Sequence, residues 1–79
     1  MNDKYIEILR ASFYNVRSEM DEAYLFFMDE SQNARCAARL GYDTEEADTR
    51  AQRAWAHYKY LQGEFHGLKA ALSILGIEY

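Results

Sequence analysis

The sequence predicts an all-α protein: an antiparallel hairpin of two long helices, over about 3–40 and 44–77, making one domain across 1–79. Three observations predict it. Two apolar series recur at helical spacing with alternating steps of four and three. A single short break, Gly41-Tyr42-Asp43, separates them, and proline is absent. Paired outward from that break, the two series meet small against small near the turn and large against large toward the termini.

The first helix begins at Asn2 or Asp3, either of which can cap it. Its seam runs Ile6, Leu9, Phe13, Val16, Met20, Ala23, Phe27, Glu30, Ala34 and Ala37. Only Glu30 departs from the apolar rule. Asp29 to Asn33 are weak helix formers, so a kink with Ser31 capping a short second helix competes with a continuous helix. The continuous helix is preferred because the seam keeps its phase across the gap.

Gly41 suits the left-handed position that ends a helix. Asp43 is expected to cap the next helix, with Glu46 reaching back to complete a capping box. Glu45, Glu46 and Asp48 then fall in the first turns, where the helix dipole favours negative charge.

The second helix carries its main seam at Ala47, Ala51, Ala54, Tyr58, Leu61, Phe65, Leu68, Leu72 and Leu75. Seam pairing sets Ala34 by Ala51, Phe27 by Tyr58, Met20 by Phe65, Val16 by Leu68 and Phe13 by Leu72. Glu30 then faces Ala54, within reach of Arg50 or Arg53. A second series lies on the opposite face: Ala56, Tyr60, Gly63, Gly67, Ala70, Ile74 and Ile77. Gly63 and Gly67 have a spacing that lets helices approach closely in membranes. The face reads as a second, close-packed interface; the alternative is two tolerated glycines on a solvated face.

A two-helix rod leaves half of each helix in water, yet its outward faces are not uniformly polar. Tyr24, Leu25, Phe26, Phe27 and Met28 are consecutive and cover all sides of the first helix. A 79-residue chain with one cysteine, Cys36, and no clustered Cys/His set lacks the usual staples of a small domain. Oligomerisation is the remaining support. The hairpin is therefore expected to form a homodimer, as a coiled-coil-like four-helix bundle that buries the second seam and Tyr24–Met28. The association residues on this reading are Tyr24, Leu25, Phe26, Met28, Trp55, Tyr60, Gly63, Gly67, Ala70 and Ile74.

Composition narrows the function classes. A net charge of −4 and a pI near 5.0 argue against direct nucleic-acid binding. Tyr24–Met28, the longest strongly apolar run, is far short of the roughly 20 residues that span a bilayer. No signal-peptide pattern is visible, and a reducing, cytoplasmic setting is the default expectation. His57 and His66 are about 180° apart on a helix, and no metal-binding or nucleophile motif is present. No metal, cofactor or catalytic residue is expected. Four arginines near the turn, Arg35, Arg39, Arg50 and Arg53, form a candidate anion site, against which stands local pairing with the neighbouring carboxylates.

The expected function is that of a small non-enzymatic helical adaptor or regulatory protein. It would act by association with itself and with an unidentified protein. Two alternatives remain: an acidic inhibitor of a nucleic-acid-binding machine, in which Glu45, Glu46 and Asp48 imitate phosphates, or a small anionic-ligand or nucleotide binder at a protomer interface.

Overall fold

The computed structural model describes residues 3–78. Helix α1 spans Asp3–Arg39 and helix α2 spans Glu45–Ile74. They lie side by side in a rod with extents of 59 × 14 × 14 Å. α1 runs unbroken through Asp29–Asn33, as the phase of its seam requires.

Burial follows the two seams. Every α1 seam residue from Ile6 to Ala37 is buried or half-buried, and so is every α2 seam residue from Ala47 to Leu72. The core is thin. Phe13, Ala23, Ala34, Ala47, Ala54, Leu61 and Leu72 are its buried apolar residues, and only Leu72 falls to 0% exposure. Alanines fill it near the turn, and Phe13, Phe65 and Leu72 toward the open end. The Phe13 and Phe65 rings stack with centroids 5.0 Å apart. The expected pairing of Phe13 with Leu72 and Phe27 with Tyr58 is corrected: Phe13 stacks on Phe65 and Phe27 packs on Trp55, each earlier in α2, while Tyr58 meets Tyr24, because interdigitating side chains settle between facing residues and not directly opposite them.

Both helices end in the same way. Gly41 has φ +81° and Gly76 φ +69°, the left-handed conformation that glycine adopts at little steric cost. At α1 the Tyr42 N–H donates to Ala37 O at 2.9 Å and the Gly41 N–H to Ala38 O at 3.1 Å. At α2 the Ile77 N–H donates to Leu72 O and the Gly76 N–H to Ser73 O. These paired bonds are Schellman motifs, which satisfy carbonyls that the helix leaves orphaned.

Gly76 corrects the expected end of the second helix. The chain leaves helical geometry after Ile74, so Ile77 is not on the outer face of α2. Ile77 is instead half-buried, and Arg10 Nε donates to the Glu78 carbonyl at 2.9 Å. The turned-back tail thus fastens the open end of the hairpin to α1. Leu75, expected on the main seam, is exposed for the same reason.

The start of α2 also differs from expectation. Thr44, not Asp43, occupies the capping position, and its side chain makes no capping bond. The Glu45 N–H donates to Asp43 Oδ1 at 3.0 Å, so Asp43 caps from one residue further out. Glu46 completes no capping box. Its carboxylate pairs with Arg50 one turn on, at 3.2 Å.

Candidate protein-association surface

The two flanks of the seam differ in chemistry. Tyr24 and Trp55 each directly follow a seam alanine, Ala23 and Ala54. In an antiparallel pair such positions face one another across the groove. The rings connect there: Tyr24 to Tyr58 at 5.3 Å, Tyr58 to Trp55 at 5.6 Å, and Trp55 to Phe27 at 4.9 Å. Lys59 Nζ lies 5.4 Å from the Trp55 ring centre and donates to Gln62 Oε1 at 2.9 Å. Trp55, one of the expected association residues, keeps 43% of its surface exposed while its ring also contacts Phe27 and Tyr58.

The other flank is polar. Arg50 directly precedes seam residue Ala51 and bridges the helices, with Nε 3.1 Å from Glu30 Oε2 and Nη1 3.2 Å from Glu46 Oε1. The Glu30 side chain is 12% exposed and that of Arg50 48%. The one charged residue of the α1 seam therefore has its partner, from the helix expected to supply it. Arg50 donates hydrogen bonds to both carboxylates while keeping access to solvent.

Along the aromatic flank a chain of shallow hollows runs toward the turn. One is bounded by Met20, Asp21, Tyr24, Leu25 and Tyr58. The next is bounded by Phe27, Asp48, Ala51, Gln52 and Trp55. A third reaches Ser31, Ala34, Arg35 and Ala38 on α1 and Thr44 and Asp48 on α2. The hollows exist because alanine fills the seam here, leaving the larger flanking side chains standing above the groove.

Of the expected association residues, Leu25 is 67% exposed, and Tyr24, Phe26 and Met28 are also exposed; Phe27 alone of the run turns into the seam. Tyr60, Gly63, Gly67, Ala70 and Ile74 lie on the exposed outer face of α2. A Cβ added at Gly63 or Gly67 would meet nothing within 4 Å in the hairpin. The Tyr60 hydroxyl has its pKa raised by hydrogen bonding to Glu64 one turn on, and by that carboxylate's charge.

The four arginines do not share a pocket. Arg35 and Arg39 border a hollow on α1 beside Cys36, whereas Arg50 and Arg53 border one at the start of α2. Arg50 is already held by two carboxylates. The acidic start of α2 has local work as well: Asp43 accepts from the Glu45 N–H, Glu46 binds Arg50, and Asp48 accepts from the Thr44 hydroxyl at 3.0 Å. Among the described residues, no three His, Cys, Asp or Glu side chains are grouped to hold a metal ion. No helix among them is long and apolar enough to cross a membrane.

Fold and surface together define a helical hairpin with an aromatic groove on one flank and ion pairs on the other. The chain significantly matches no family model, no curated protein and no solved structure.

Proposed function

We propose that this hairpin is a non-enzymatic helical adaptor or regulatory protein that acts by protein–protein association and associates with itself, two hairpins completing a four-helix bundle. The observation that supports the reading most strongly is the exposed apolar surface of the aromatic flank, where Tyr24, Leu25, Met28 and Trp55 remain accessible beside a thin core. Aromatic and methionine side chains are enriched at protein interfaces, and a contiguous apolar patch of this kind marks an association site more often than an isolated exposed residue does.

The surface area points the same way. The chain exposes 5964 Å². A compact monomer of its mass, 9.3 kDa, would expose about 5,000 Å². The excess of about 1,000 Å² is comparable to what each partner contributes to a standard interface, about 800 Å². A reducing, cytoplasmic setting belongs to this reading, since it keeps the exposed Cys36 a free thiol.

Light scattering across a concentration series tests the proposal. A mass of two chains or more, persisting into the micromolar range, is the expected result. A mass of one chain at every concentration overturns self-association.

A further inference from the structure

At the open end of the hairpin, α1 outruns the helix that covers it. The contacts Tyr24–Tyr58, Phe27–Trp55 and Glu30–Arg50 set the register of the antiparallel pair. Both helices rise equally per residue, so the register carries outward and brings Leu72 level with Leu9, and Leu75 level with Ile6. α2 ends at Ile74, however, and Leu75 is exposed. Ile6 is nonetheless half-buried. What lies there is the turned-back tail. A helical side chain leans toward the N-terminus of its helix, over the preceding turn. The Arg10 guanidinium, bonded to the Glu78 carbonyl, therefore holds the tail over the turn that carries Ile6 and Leu9. Ile77, next to Glu78, is half-buried as well.

We propose that residues 76–78 are a clasp. They stand in for the turn that α2 lacks, and they open and close with the first two turns of α1 as one local unit. Three features make the clasp releasable. Its fastening is a single hydrogen bond from the exposed Arg10 to a backbone carbonyl. Its apolar anchor, Ile77, is buried only in part. Its hinge is Gly76, whose left-handed φ of +69° turns the chain back without a steric penalty. A region with so few buried contacts opens at low free energy while the remainder of the fold stays closed. Lifting the tail uncovers Ile6 and Leu9 beside Tyr5 and Ile8, which are already 64% and 50% exposed. The closed clasp thus keeps half of this apolar segment out of water, and the open one presents all four side chains. This device goes beyond the association reading and does not depend on it.

Amide hydrogen exchange tests the clasp. Arg10→Met keeps the aliphatic stem and removes the donor. In this variant the Ile77 amide, which donates to Leu72 O, and the amides of residues 7–10 are expected to exchange at least threefold faster, all by the same factor. The amides of residues 23–34 keep their wild-type rates. Arg17 lies two turns further along the same line of α1, and Arg17→Met is expected to change none of these rates. Both positions are exposed, and circular dichroism verifies that the helices persist. Acceleration at Ile77 alone, acceleration spread evenly over the whole chain, or unchanged exchange overturns the proposal. An equal response to Arg17→Met overturns it too.

Discussion

Glu30 shows how one residue can hold two helices in register at a cost to stability. Its carboxylate is mostly removed from water in a seam of apolar side chains and binds Arg50 at 3.1 Å. Desolvating an ion pair offsets much of its attraction, and a packed apolar side chain at such a site is often the more stable choice. Removing the carboxylate here strands no buried cation, because Arg50 is half in solvent and retains Glu46. Glu30→Leu is therefore expected to raise stability by about 1 kcal/mol, or several degrees in Tm for a chain of this size, in thermal denaturation followed by circular dichroism. A fall in Tm would mean that the ion pair contributes more than its desolvation costs. Gly67 poses a simpler question. Its Cβ would meet only open space in the hairpin, and glycine inside a helix costs up to about 1 kcal/mol relative to alanine. Gly67→Ala should raise Tm accordingly and leave the solution mass unchanged. A drop in Tm or a changed mass would place the outer face of α2 in a close-packed contact instead.

At the scale of the element, the helix interiors and the helix ends were unequally readable. The two main seams predicted burial along nearly the whole of both helices, because steps of three and four keep side chains on one face whatever lies beyond it. Gly41 was legible as a terminator because the seam stops there and a capping acid follows. Gly76 was not read as one, although it carries the same signal: a glycine after an apolar run, near the end of the chain. Its left-handed φ ends α2 at Ile74 and sends Ile77 and the Glu78 carbonyl back onto α1. An alanine there pays the left-handed penalty that glycine avoids, about 1 kcal/mol. Gly76→Ala should lower Tm by that amount and loosen the Arg10–Glu78 contact, seen as faster amide exchange at Ile77. Unchanged exchange and stability would show that the tail does not depend on the turn.

For the whole molecule, the decisive quantity is the ratio of core to surface. Two helices alone can bury only one stripe each, and a rod of 59 × 14 × 14 Å has more surface than its mass requires. Association is the means by which such a shape can remove further apolar surface from water. That is why the solution mass bears on function more directly than any single substitution does. The two flanks differ in how fully their charges are matched within the hairpin. The Glu30–Arg50–Glu46 side already has its charges matched, while the Tyr24–Trp55 side presents rings, a methionine and two charges without ion-pair partners among the described residues.

The sequence by itself determined the helical hairpin, its turn, the residues of the core and the helix that answers Glu30. All of these follow from local spacing, capping chemistry and the short connection that makes the helices antiparallel. The tertiary structure alone decided the two flanks. Spacing lists which residues follow a seam position, but only the packed pair shows that Trp55 closes on Phe27 and Tyr58 instead of standing free. The same holds for the turned-back tail and for the separation of the turn arginines into two hollows. The physical reason is that helical periodicity fixes the direction of a side chain about its own axis, whereas its neighbours depend on how two axes approach, and the alanine-filled seam sets that approach.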